Sequence, residues 1–368
     1  GVKGDLSPAW SYDAFYQYGR NNYAQTYLND FSVSRLGRAL DVVSGPGGTP
    51  VCRSTLDGSD ANCVPWDIFS PGTVAPSAAS VAYLSTPGFS RGVVQQQVAN
   101  AFLSGSLGEY GLKTPWSDQG VDVVFGAEYR KESLEFNSDT AFSTGDLAGQ
   151  GAATLPVSGS FDVKEFFTEV RIPIAQDSWV YDFTVTGGYR YSDYSTGATT
   201  DTFKIEGELA PIRDFRIRGG FNRAVRAPTV QDLFSPNLVA LDGSSDPCAG
   251  FVITAANAGC RAQGLSVGQF VAPNPADQYN GFVGGNANLQ PEIADTYTAG
   301  VVVTPTFLPG FTASVDYFNI DITEAIGGIG SDTILAACTA TADPFFCGLI
   351  NRDPVSYTHL TLPTIYSV

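Results

Sequence analysis

Few residue types in this sequence have the chemistry to act on a substrate, and the scarcest is histidine. His359 is the only one in 368 residues. A lone imidazole near a terminus could be a ligand, a base or a pH switch. It lies in VSYTHLTLPTIYSV (355–368), with no second histidine to complete a Ser-His or Cys-His pair or a His-based metal site. A carboxylate pair can be found by chance among 37 acids and signals nothing. No catalytic residue, metal site or cofactor is therefore expected, and no enzyme.

Six cysteines come next: Cys52, Cys63, Cys248, Cys260, Cys338 and Cys347. They form three local pairs, 11, 12 and 9 positions apart. No C-x-x-C occurs, so zinc lacks its usual spacing. Three local disulfides are expected, each contributing roughly 2–3 kcal/mol, which implies an oxidising compartment and an exported chain. Arg223 and Arg226 in FNRAVRAPTVQDLF stand where a strand runs into the longest connection. They could meet an anionic ligand or pair with carboxylates as framework, and framework is the reading preferred. Tyr279 and Phe282, with several acids, lie in that same connection, where aromatics could stack on a ligand. DGSD (57–60) and DGSSD (242–246) lack a full calcium-loop ligand series and read as turns.

The elements that must position these residues alternate with period two. WVYDFTVTGGYRYS (179–192) sets Trp179, Tyr181, Phe183, Val185, Tyr189 and Tyr191 against Asp182, Thr184, Thr186, Arg190 and Ser192, a strand with one apolar and one polar face. WSYDAFYQY (10–18), VDVVFGAEYRKE (121–132), FKIEGEL (203–209), FRIRGGFN (215–222), TYTAGVVV (296–303) and FTASVDYFNIDI (311–322) behave alike. In the last, the apolar side changes between Tyr317 and Phe318, predicting a bulge. Connections alternate too: short at 174–179, 210–214 and 305–310, long at about 44–91, 138–158, 226–290 and from 324. All six cysteines fall in long ones. Short turns at one end and long loops at the other describe an antiparallel up-and-down β-barrel that crosses a membrane with strands. Glu128, Arg130, Glu132, Lys204, Glu206, Glu208, Arg216 and Arg218 would then line its lumen. No stretch reaches the roughly 18 apolar residues of a spanning helix. A net charge of −17 argues against nucleic acid as a partner.

RALDVV (38–43), PVCRSTL with CVPWDIF (50–69), VVFGAEYRKE (123–132), GSFDVKEFFTEVRIPI (159–174), FNRAVRAPTVQDLF (221–234) and GGNANLQPEIADTYTAGVVVTP (284–305), in this order, resemble the C-terminal barrel of TonB-dependent outer-membrane receptors. CGLINRDP (347–354) also looks like a loop of that family. The resemblance covers most of residues 8–353. It implies an all-β transmembrane barrel, here incomplete, with about ten strands of a larger number. It also implies a plug and a TonB-contacting box that this stretch does not contain. With no methionine, the chain reads as a fragment or a processed product. By resemblance its partners are outer-membrane lipid, the TonB complex through the plug, and an unidentified ligand: a siderophore, a vitamin-like cofactor or an oligosaccharide. Its place would be the outer membrane of a Gram-negative bacterium. A passive porin-like channel and a secreted β-rich binding module are the rivals. From Val355 the tail departs from the family pattern, and VSYTHLTLPT resembles a reading frame through a transposon-type sequencing-library adaptor. Residues 1–354 are expected to be partial barrel and 355–368 non-native.

Overall fold

The computed structural model describes residues 1–70, 72, 75–356, 358–361 and 365–367. Ten strands form one antiparallel sheet in sequence order: β1 Val2–Ser7, β2 Trp10–Phe31, β3 Ser85–Ser106, β4 Asp122–Ser138, β5 Val157–Gln176, β6 Asp182–Tyr194, β7 Thr199–Ile212, β8 Phe215–Arg226, β9 Glu292–Val303 and β10 Ala313–Thr323. β1 and β10 are its edges, so the sheet is an open portion of a barrel wall. No described helix is long and apolar enough to cross a membrane.

Register sorts side chains onto two faces, because alternate residues of a strand point opposite ways. On one face Gly188, Lys204 and Asn222 are neighbours, as are Thr186, Glu206 and Gly220, and Glu208 sits opposite Arg218. On the other, Tyr189 neighbours Phe203, and Ile205 neighbours Phe221, which neighbours Tyr297. Ring centroids of Phe203 and Phe221 lie 5.6 Å apart, and of Phe221 and Tyr297 4.8 Å apart. Opposite charges interleave on the polar face: Lys204 meets Glu169 at 2.9 Å, Arg190 meets Glu165 at 3.0 Å and Arg218 meets Asp316 at 2.7 Å.

β2 and β3 have 22 residues each. At about 3.3 Å per residue each spans roughly 70 Å, far more than an apolar band of about 25 Å needs even when tilted. The apolar face of β2 accordingly stops at Tyr18 and continues as Arg20 and Asn22, so the upper half of the strand is polar on that face.

Three expectations need correction. The pairing of β9 with β10 runs without a shift from Ile293–Thr323 to Val303–Ala313, so there is no bulge at Tyr317–Phe318. Phe318, Ile320 and Ile322 instead share the polar face. Strand β6 starts at Asp182, leaving Trp179 in the turn before it. The first long connection is 32–84 rather than 44–91, since Val33–Leu40 is a helix capped by Ser32 and β3 begins at Ser85. Loop lengths also alternate less strictly than expected. Residues 195–198 make a tight turn at the long-loop end, and 107–121 is the longest link at the other. A true register shift falls at Pro173–Ala175, where a residue without an N–H is tolerated.

The long connections fold over the polar face. The helix Val230–Phe234 puts Val230 and Leu233 into a cluster with Phe161, Val163, Tyr194 and Leu289. At β3, Gly88 leaves room for Phe142 and Leu147 of the 139–156 connection: a methyl there would lie 2.7 Å from each. Loops that close over one face mark it as the inner one.

Candidate functional site

The four residues singled out as ligand candidates do not converge. Arg226 donates to both Glu292 oxygens at 2.5 and 2.6 Å, and Glu292 also accepts from the Ile326 N–H at 2.7 Å. Arg223 donates to both Asp295 oxygens at 2.7 Å, with its guanidinium 5.4 Å from the Phe203 ring centre. Being three residues apart on one strand, Arg226 faces inward and Arg223 outward. Both forks are occupied by carboxylates of β9. Tyr279 is buried, accepts from the Asn274 N–H at 3.1 Å, and stacks on His359 at 4.6 Å. Phe282 lies half-buried opposite Val239 in the hairpin Leu238–Gly243 with Tyr279–Val283.

The three cysteine pairs form Cys52–Cys63, Cys248–Cys260 and Cys338–Cys347, and the described residues hold no free cysteine. The second and third disulfide loops are docked on each other. Asp246 and Arg352, both almost wholly inaccessible, make a two-pronged pair at 2.7 and 3.0 Å. Arg352 also donates to Gln263 Oε1 at 2.5 Å, and Gln263 donates to Thr339 at 3.2 Å. Asp332 accepts from the Ser244 hydroxyl at 2.6 Å, and Asp242 accepts from the Ser331 hydroxyl at 2.5 Å. His359 Nδ1 lies 3.4 Å from Asp246. Burial alone would raise the Asp246 carboxyl, but His359 and the Arg352 charge and hydrogen bonds outweigh it and hold the group well below the usual carboxylate range. The two loops thus form one body through these direct contacts, and the tail segment 359–361 adds to it in a small sheet of order 238–243, 279–283, 359–361, 350–352. Tyr357 and Leu362 of the tail lie outside the described residues.

Beneath the base of this body, against the inner face, is a cavity of about 790 Å³. The wall contributes Tyr23, Leu134 and Phe136; loops close it with Leu155, Pro236, Leu238 and Val283. Tyr23 and Phe136 rings lie 6.4 Å apart. Among the described residues no Lys or Arg lines it, and the one acid there, Asp232, is committed to capping a helix by accepting from the Thr229 N–H at 2.9 Å. Such a volume suits a small molecule. Tyr23 and Phe136 escaped notice in the sequence, yet each interrupts the polar face of its own strand, after Gln17 and Asn21 in one case and Glu128, Arg130 and Glu132 in the other. An aromatic residue that breaks an otherwise polar face is the signal that could have found them.

The family described as TonB dependent receptor-like, beta-barrel, matches residues 1–358. The chain belongs to that family. Members of the TonB-dependent receptor family are outer-membrane transport proteins of Gram-negative bacteria, not enzymes. No curated relative is matched by the sequence. Among solved structures, a double mutant of the ferric enterobactin receptor PfeA from Pseudomonas aeruginosa matches with a TM-score of 0.53 at 13% identity, covering 100% of this chain and 38% of that one. A single-site mutant of the same receptor gives 0.53 at 13%, covering 99% and 38%. The siderophore receptor PirA from the same organism gives 0.44 at 13%, covering 100% and 49%. At these identities the likeness is one of fold. This receptor chain spans less than two-fifths of the length of the PfeA structures.

Proposed function

We propose that the chain is wall and outer loops of an outer-membrane receptor that captures a scarce ligand outside the cell and imports it with TonB-relayed energy. The observation that carries this reading is the mouth cavity, formed where long disulfide-braced loops fold inward over a polar wall. The opposite face, with Tyr189, Phe203, Phe221 and Tyr297 side by side, would meet outer-membrane lipid, its rings forming the girdle at the outer interface. A secreted module would leave that aromatic face in water, an exposed apolar surface far larger than soluble monomers carry. Capture by loops, followed by rearrangement of a plug when TonB pulls, is the mechanism this supports. Siderophores, vitamin-like cofactors and oligosaccharides are the ligand classes in view.

Uptake that stops when TonB is removed tests the proposal, and uptake that continues unchanged makes the protein a passive channel. In the same reading residues 1–354 belong to the receptor and 355–368 derive from an adaptor. Resequencing the locus and finding the tail encoded there would sink that division.

A further inference from the structure

Charge is distributed unevenly over this chain. The connections 32–84, 139–156, 227–291 and 324–354 hold fourteen Asp and Glu against five Arg and no Lys. Four of those arginines are already engaged. Arg38 pairs with Asp60, Arg53 with Asp41 and Arg352 with Asp246, while Arg35 donates to the carbonyls of Tyr83 and Ser85. On the inner wall Arg171, Arg190, Lys204, Arg216, Arg218 and Arg226 are likewise paired with carboxylates, and Arg130, which has no ion pair among the described residues, does not line the cavity. The approach to the mouth is therefore acidic, and its cavity offers aromatic and alkyl surface with no cation.

We propose that the mouth cavity takes an uncharged or cationic small molecule with an aromatic or alkyl body, and discriminates against polyanions. The proposal rests on the receptor reading and narrows its ligand. A negative surface potential concentrates cations and repels anions during approach. A polyanion entering the cavity would shed its water with no cation to replace it. An uncharged ligand has no such cost, and Tyr23 and Phe136 give it ring surface to stack on. A cationic one gains further from the ring faces.

The test uses the receptor that carries this chain, purified in detergent, and three iron complexes of similar size. One is an uncharged ferric trihydroxamate, one its amine-bearing cationic analogue, and one a trianionic ferric tricatecholate. Binding is measured by isothermal titration. The first two are expected to bind at least about tenfold more tightly than the third. Phe136→Ala should weaken them about tenfold. Gln231→Arg, an exposed position on the cavity rim, should narrow the gap by admitting the anion, and serves if Phe136→Ala does not fold. Equal or tighter binding of the tricatecholate, or no binding of any complex, overturns the proposal. Either result leaves the transport reading intact, since that depends on whether uptake needs TonB.

Discussion

Arg352→Ala is expected to destabilise the docked pair of outer loops by about 3 kcal/mol, because it removes the two-pronged cation from the buried Asp246 carboxylate and leaves it only the Cys248 N–H and His359. Arg352 and Asp246 are 106 positions apart and inaccessible to solvent. His359, 3.4 Å from Asp246, would be the one basic group left beside it among the described residues, and Gln263 would lose its donor as well. The readout is limited proteolysis of the folded receptor: new cleavage within 244–290 and 324–354, with the strands still protected. Replacing both partners, Asp246→Leu with Arg352→Met, should restore much of the protection, since an apolar pair leaves no orphan charge. The pH dependence follows from the Asp246 carboxyl, which burial would raise but which His359 and Arg352 together hold down in this chain. A group whose folded value lies below its unfolded one contributes stability that is present at neutral pH and lost only as pH falls through the folded value. Wild-type loops should therefore resist protease at pH values of about 4, near the ordinary carboxylate range. Wild-type protection in Arg352→Ala would show that the pair does not hold the loops together.

Gly259→Ala should separate the same two loops by steric means. A methyl group there would lie 2.3 Å from the Thr339 carbonyl oxygen, 2.4 Å from its Cα and 2.5 Å from the Cys338 carbonyl oxygen. These are backbone atoms, so no side-chain rotation relieves the overlap, and the helix Ala258–Ala262 must move off Ser331–Thr341. A cost of about 3 kcal/mol, the upper part of the usual overpacking range, is expected. Gly348 is the matched control, being in a neighbouring helix where an added methyl would meet nothing within 4 Å. Gly348→Ala should be neutral or stabilising by some tenths of a kcal/mol through helix propensity. If both variants show the same thermal unfolding and protease pattern as wild type, the loops are not in backbone contact.

The wall was legible because period two is a local property. Lys204, Glu206 and Glu208 declare their face from FKIEGEL alone, and the neighbours that register gives them only confirm it. The cysteines were legible for a similar reason, since pairs 9 to 12 residues apart close without help from the rest of the fold. Arg223 and Arg226 were grouped as one candidate although their odd spacing on a strand already sets them on opposite faces. The docking of Asp246 on Arg352 leaves no local trace, because each sits in an irregular loop with no periodicity to aim it. Tyr279 looked like a stacking platform for a ligand because burial of a loop residue depends on a second loop. The expected bulge at Tyr317–Phe318 failed for a related reason. Phe318, Ile320 and Ile322 break the polar pattern, yet the strand keeps its register with β9, so the apolar residues turn inward.

Energy-dependent uptake tests the central claim most directly. Cells expressing the receptor that carries this chain would be given labelled iron complexes, corrinoids or oligosaccharides, with TonB present or deleted. A TonB-driven receptor accumulates one of these against its gradient, and deletion of TonB abolishes accumulation while surface binding remains. Equal entry with and without TonB, reaching only the outside concentration, would contradict it and leave a passive pore.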